Sequence, residues 1–352
     1  MMQRRHLLAA AAAIPLLARA EPPAQRLALA WRLADGRDQA GLLALDWAAR
    51  RMDVLSAVTL PSRGHGLIAD GRGGFYAVAA RTGDWLLHVA ADGLTAWARQ
   101  DGPWRFNGHL LLHAAGLFAT ETDPRDDSAH LALRDPVTLA LIFRTALNGR
   151  DGHQLVTERD GRLLLALGGL PRGPDGRKRE GAIASALLRL DPASGRELGR
   201  WRLEDADISL RHLAWAHDGR QLGIALQAEH VAREPRLAAP LLALFDGERL
   251  TLPAAGGAGQ GYAGDLCAAP GGGFVLSAQK AGLNLLWRPD EPATFMRVAE
   301  LTEPCALHDG WHDGERAVLM VAGRGVARWQ ARGAQMLAWP QPMVPDNHAV
   351  LL

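Results

Sequence analysis

"NGHL" at residues 107–110 is one of four similar stretches in this chain: "RGHG" stands at 63–66, "DGHQ" at 151–154 and "LRHL" at 210–213. From His65 to His109 is 44 residues, and from His109 to His153 is 44 again. The next intervals, measured to His212, Asp265, His308 and His348, are 59, 53, 43 and 40 residues. The two long ones hold polar insertions, "PRGPDGRKREGA" at 171–182 and "EHVAREPR" at 229–236. A period of about 40–50 residues is the mark of propeller blades.

The runs inside each unit agree with that period. After His109, "HLLLHAA" leads to "GLFATET", then "AHLALRD", then "ALIFRTAL". Short apolar runs bounded by D-G, P-G and G-G turns predict antiparallel hairpins. The 39 glycines and 20 prolines supply such turns, and no helix-length periodic stretch follows residue 20. Full units begin at 65, 109, 153, 212, 265 and 308. Residues 26–60 hold three more runs, "LALAWRL", "GLLALDW" and "MDVLSAVTL", but lack a first strand. The run "NHAVLL" at 347–352 supplies it. The predicted fold is therefore all-β, a seven-bladed β-propeller whose ring is closed by the C-terminal strand joining the N-terminal blade. Closure also removes the open edges of a long β array.

Residues 1–20 read as a leader: Arg4 and Arg5, an apolar run from Leu7 to Leu17, then Ala18-Arg19-Ala20 as a cleavage signal. The run is too short to span a bilayer, and the arginine pair resembles a twin-arginine export signal. Residues 21–352 are then a single propeller domain in the periplasm, expected to be a monomer with no membrane span. Lys and Arg total 39 against 38 Asp and Glu, which gives no case for nucleic acid or an anionic membrane as partner. An oxidising compartment permits a bridge between Cys267 and Cys305, with two buried free thiols as the alternative.

The first strand of a propeller blade lies innermost, so residues at its start surround one mouth of the axial channel. His65, His109, His153, His212, His308 and His348, with Asp265 in the remaining position, are the candidate ring; Cys305 competes with His308 for the seventh place. Imidazole suits zinc, copper, iron and nickel. Glu121 and Gln227 are candidates for fixing the imidazoles by hydrogen bonds. Arg63, Arg105, Arg150 and Arg211 precede four of the histidines by one to four residues and favour carboxylate or phosphate oxygens. Such a mouth suits a metal ion, an anionic metal chelate or a haem held by its propionates. The plainer alternative is that these histidines only hydrogen-bond between blades. No G-x-S-x-G elbow, H-E-x-x-H helix, P-loop or C-x-x-C is present.

"RGHG", "RFNGH" followed by "FATETD", "DGHQ", "ALGGLPRGPDGR", "ISLRHL", "YAGD" and the closing "DNH" resemble the bacterial family known as domain of unknown function 1513. The resemblance covers roughly residues 24–350. It implies an exported, lactonase-like seven-bladed propeller, encoded beside imelysin-type iron-uptake proteins and haem-containing oxidase-like proteins. Gln154 departs from the acidic residue of the family pattern. Three functions follow as expectations: a periplasmic propeller binding metal, iron, copper or haem in support of iron acquisition; a scaffold for an imelysin-like or haem-bearing partner; or a lactonase-like or oxidase enzyme.

Overall fold

The structure, a computed structural model, describes residues 25–253, 256–331 and 333–352. Residues 1–20, read as a leader, lie outside the described residues. The chain forms seven four-stranded antiparallel sheets. Blade 1 pairs Met343–Leu351 with Gln25–Leu33, followed outward by Asp38–Asp46 and Arg51–Thr59. The C-terminal strand thus joins the N-terminal blade. Blades 2 to 7 start on Gly64–Ala69, Arg105–His113, Gly152–Thr157, Ile208–Trp215, Leu266–Ala268 and Leu307–His312. Each of these first strands touches the next. The circuit closes where Leu307–His312 meets Met343–Leu351 and that strand meets Gly64–Ala69. The fold is a seven-bladed β-propeller with the predicted strands at its hub.

Radial position explains the burial of each strand. Middle strands are covered on both faces by neighbouring blades, so "LLLAL" at Leu163–Leu167 is buried throughout. The outermost strand of blade 2, Thr95–Arg99, alternates between exposed and half-buried residues. Apolar clusters fill the gaps between blades. Leu319, Val321 and Val326 of blade 7 pack on Leu27, Leu29 and Leu43 of blade 1, which seals the ring. Phe118 and Leu131 of blade 3 pack on Leu163, Leu165 and Leu188 of blade 4 in the same way.

The insertions behave differently from one another. "EHVAREPR" enters one helical stretch, Arg233–Ala238, which has no buried residue. The segment 171–182, by contrast, turns its first residues inward: Pro171 and Gly173 are buried, while the rest is mostly exposed. Among the described residues no helix is long and apolar enough to cross a membrane. Cys267 and Cys305 are both buried and free. Burial pushes the Cys305 thiol up to about 12 and the Cys267 thiol well above its ordinary value, so both are neutral. The two are not bridged to each other.

Candidate metal centre

Five first strands depart from regular pairing, and each departure carries a histidine. Register shifts lie between Gly64 and Leu67, Phe106 and Leu110, Gly152 and Leu155, and Leu210 and Leu213. The fifth lies between Pro345 and Ala349 of the closing strand. A bulge leaves a residue out of the ladder and re-aims its side chain. Here the re-aimed side chains are His65, His109, His153, His212 and His348. Close approach of the strands depends on two glycines. A Cβ on Gly66 would lie 2.2 Å from the Gly108 carbonyl oxygen, and one on Gly108 would lie 2.6 Å from the His65 ring.

These five imidazoles converge. Ring centroids are 4.1 Å apart for His109 and His153, 4.6 Å for His65 and His348, 4.7 Å for His212 and His348, and 5.0 Å for His109 and His348. Two triads, His65–His109–His348 and His109–His153–His212, each bring one ligand atom per residue within 4.8 Å of the others. His153 Nε2 and His212 Nε2 face each other at 3.1 Å. Two imidazole nitrogens at that separation either share a proton or point their lone pairs at one cation. Tetrahedral bonds of roughly 2.0–2.1 Å place ligand nitrogens roughly 3.3–3.4 Å apart.

The hub is set up for neutral imidazole. Burial, followed by the charge of neighbouring imidazoles and arginines, pushes His109, His153 and His348 well below the ordinary histidine range. His109 Nε2, His153 Nδ1 and His348 Nε2 are buried without a hydrogen-bond partner. His65 is oriented from behind: its Nδ1 lies 2.7 Å from Asp346 Oδ1, which leaves Nε2 free to ligate. Burial alone would raise the Asp346 pKa. The His65 hydrogen bond and the Arg63 guanidinium, 2.5 Å from Oδ2, instead hold its carboxyl well below the usual carboxylate range. A cleft of about 210 Å³, lined by Trp31, Arg32, Arg63, Val344 and Asp346, opens beside this pair. Asp265 lies 3.3 Å from His212 Nδ1 and accepts the backbone N–H groups of Leu266 and Leu307. It stands behind the His212 ring without a hydrogen bond to it.

Several candidate residues lie elsewhere. His308 sits in a regular ladder opposite Leu319, with no register shift to turn it inward, and makes no ring contact with the five. Glu121 is fully buried but faces Arg134 Nη2 at 3.0 Å and Arg144 Nε at 2.5 Å, so it neutralises a blade and fixes no imidazole. Gln227 donates to the Ala263 carbonyl. Arg105 donates from Nη1 to the carbonyls of Gly102, Pro103 and Trp104, away from the imidazoles, and Arg150 lies half-exposed 4.0 Å from Asp127. Arg211 does reach the hub's flank, donating to Asp151 Oδ2 at 2.8 Å. Gln154, in place of the family's acidic residue, accepts the Leu213 N–H across the blade gap, a structural task. Asp346 went unrecognised in the sequence, although "DNH" contains it two residues before His348.

The position of Glu121 leads to a measurable separation of roles. Glu121→Ala leaves two cations uncompensated between blades and is expected to cost about 3–5 kcal/mol in denaturant unfolding. Metal affinity of the folded fraction should stay within about twofold of the parent. A large loss of affinity at unchanged stability would put Glu121 back at the hub.

Comparison with known proteins agrees with this architecture. Three solved structures share the fold at low identity. One is a functionally unknown protein from Desulfotomaculum acetoxidans, 10% identical, covering 93% of this chain and 98% of its own, with a TM-score of 0.63. The second is the periplasmic gluconolactonase PpgL of Pseudomonas aeruginosa, 16% identical, covering 93% and 99%, with a TM-score of 0.60. The third is virginiamycin B lyase from Staphylococcus aureus, 8% identical, covering 79% and 84%, with a TM-score of 0.58. At such identities the likeness extends to the fold alone. No curated protein matches the sequence. The family described as "Protein of unknown function (DUF1513)" matches residues 58–352, and the chain belongs to it.

Proposed function

We propose that the hub holds one late first-row transition-metal ion, ligated by imidazoles from blades 1 to 5. The observation that carries this reading is the convergence of five re-aimed histidines, several with buried nitrogens that no protein group satisfies. Leaving such atoms unpaired costs about 1–3 kcal/mol each, and a cation removes that cost. An all-nitrogen donor set suits zinc, copper, nickel and ferrous iron, with copper strongest on intrinsic affinity. Haem fits poorly. A macrocycle would have to part buried rings whose centroids are 4.1–5.4 Å apart, so the ligand is a bare ion. The physiological part of the proposal is iron handling in the periplasm, with delivery to an imelysin-like partner. It is supported by the family resemblance and by the leader-like residues 1–20.

Chelator-stripped protein titrated with zinc, cuprous or cupric, and ferrous ions is expected to take up one equivalent with micromolar or tighter affinity. Absence of stoichiometric uptake of every one of these ions would overturn the reading. A lactone-hydrolysing activity is the second reading, favoured by the cleft that opens beside Asp346 and His65. Lactone turnover by the metal-free protein would transfer the conclusion to it.

A further inference from the structure

Beside the hub, four charged side chains from blades 2, 4 and 5 meet at one point. Asp151, fully buried, accepts from Arg211 Nη1 at 2.8 Å, forms an ion pair with Arg81, and has Arg172 Nε 3.5 Å away. Arg172 comes from the inward-turned start of the 171–182 segment. Asp151 adopts φ +58°, a left-handed conformation that few non-glycine residues take, which marks a position held by its surroundings. Gly168 is packed too closely against the Asp151–Arg211 pair to carry a side chain. A Cβ on Gly168 would lie 2.3 Å from Asp151 Oδ2 and 2.8 Å from Arg211 Nη1.

The charges do not balance. Three guanidiniums face Asp151, and the other nearby acids are shared with further cations. Glu229 lies 3.9 Å from Arg211 Nη2 but is also bonded by Lys178 Nζ at 2.7 Å, and Asp127 takes the Arg172 backbone N–H with Arg150 4.0 Å away. Arg105 adds a further cation to the same narrow cleft, which Thr82, Thr122 and the carboxylates of Asp127 and Asp151 also line. Donors are left over as well. Arg81 Nε and Nη2, Arg172 Nε and Arg211 Nε are buried with no hydrogen-bond partner. Buried guanidinium forks with free donors and excess positive charge match the oxygens of one small anion.

We infer that Arg81 and Arg172, backed by Arg211 across Asp151, bind a small oxyanion of the carboxylate or phosphate class, with the Thr82 hydroxyl at the cleft wall. The site needs no metal. Since Asp151 is two residues from His153 and Arg211 adjoins His212, an anion there lies next to the proposed ion. Each ligand should then strengthen binding of the other by the same factor.

Titration calorimetry of chelator-stripped protein at low ionic strength, with inorganic phosphate, sulfate and malonate as separate probes, tests the site without involving the metal. At least one probe is expected to bind with a dissociation constant below about 1 mM and to raise the melting temperature. Chloride at matched ionic strength should do neither. Arg172→Gln should weaken binding by the folded protein at least tenfold, with the melting temperature recorded alongside. Arg172→Lys should recover only part of the loss, because the ammonium lacks the fork. If no probe binds, or if Arg172→Gln binds as tightly as the parent, the assignment fails. Failure of metal uptake alone leaves it standing.

Discussion

Replacing His109 with alanine should strip the hub of its metal. His109 belongs to both triads, so its loss leaves no set of three imidazoles within bonding distance in either. The expected loss of affinity exceeds 100-fold, larger than the roughly 10–100-fold typical of residues that merely orient a ligand. Asp346→Asn, which weakens only the brace behind His65, should fall within that smaller range. His65→Ala or His212→Ala each spares one triad and should lie between the two. The measurement is a competition titration on chelator-stripped variants, with melting temperature recorded alongside. If these histidines serve only as hydrogen-bonding spacers between blades, the series has no such order: His109→Ala would change stability, and metal uptake would be no different from the parent's. The ranking His109 first, His65 and His212 next, Asp346 last is specific to ligation.

The ring itself was legible in the sequence because a propeller repeats. Equal spacing of "RGHG", "NGHL" and "DGHQ" places three histidines at equivalent positions, and equivalence in a closed ring means proximity. The same logic also nominates His308. It occupies the right position in the repeat, yet its strand pairs without a bulge, and nothing in "ALHDG" distinguishes a regular ladder from a shifted one. Bulges are set by how two strands twist on each other, a property of pairs of segments that a single run does not reveal. Glu121 and Asp346 show the opposite difficulty. Both are buried carboxylates with arginine partners, and which one faces an imidazole depends on chain positions more than 280 residues apart for Asp346 and His65. The cluster around Asp151 was illegible for a similar reason. Arg172 sits in a stretch whose composition reads as solvated surface, and only the folded path of residues 171–173 brings it inward.

The metal-free protein should lose stability steeply between pH 7 and pH 5. His109, His153 and His348 have folded pKa values depressed well below the ordinary value of about 6.5 that they regain on unfolding. Their contribution is fully present above pH 6.5 and is lost as the pH falls toward the folded values, because the unfolded chain binds protons that the hub refuses. Each histidine adds a slope of about 1.4 kcal/mol per pH unit, so the three together approach about 4 kcal/mol per unit. For a chain of this size that corresponds to a fall in melting temperature of about 6 °C by pH 5.5. The carboxylates act in a separate, lower window. Three arginines hold Asp151 down to about 2 against the raising effect of burial, so its contribution is present above about pH 4 and lost only as the pH approaches 2. Thermal melts of stripped protein at half-unit steps from pH 7.5 to 5 resolve the upper window. His109→Ala should reduce its slope by about a third, and saturating metal should move it to lower pH, since the ion competes with protons for the same lone pairs. A melting temperature that stays flat across this range would mean that the hub takes up protons in step with the unfolded chain. Its imidazoles would then be ordinary ones, not held neutral by the fold.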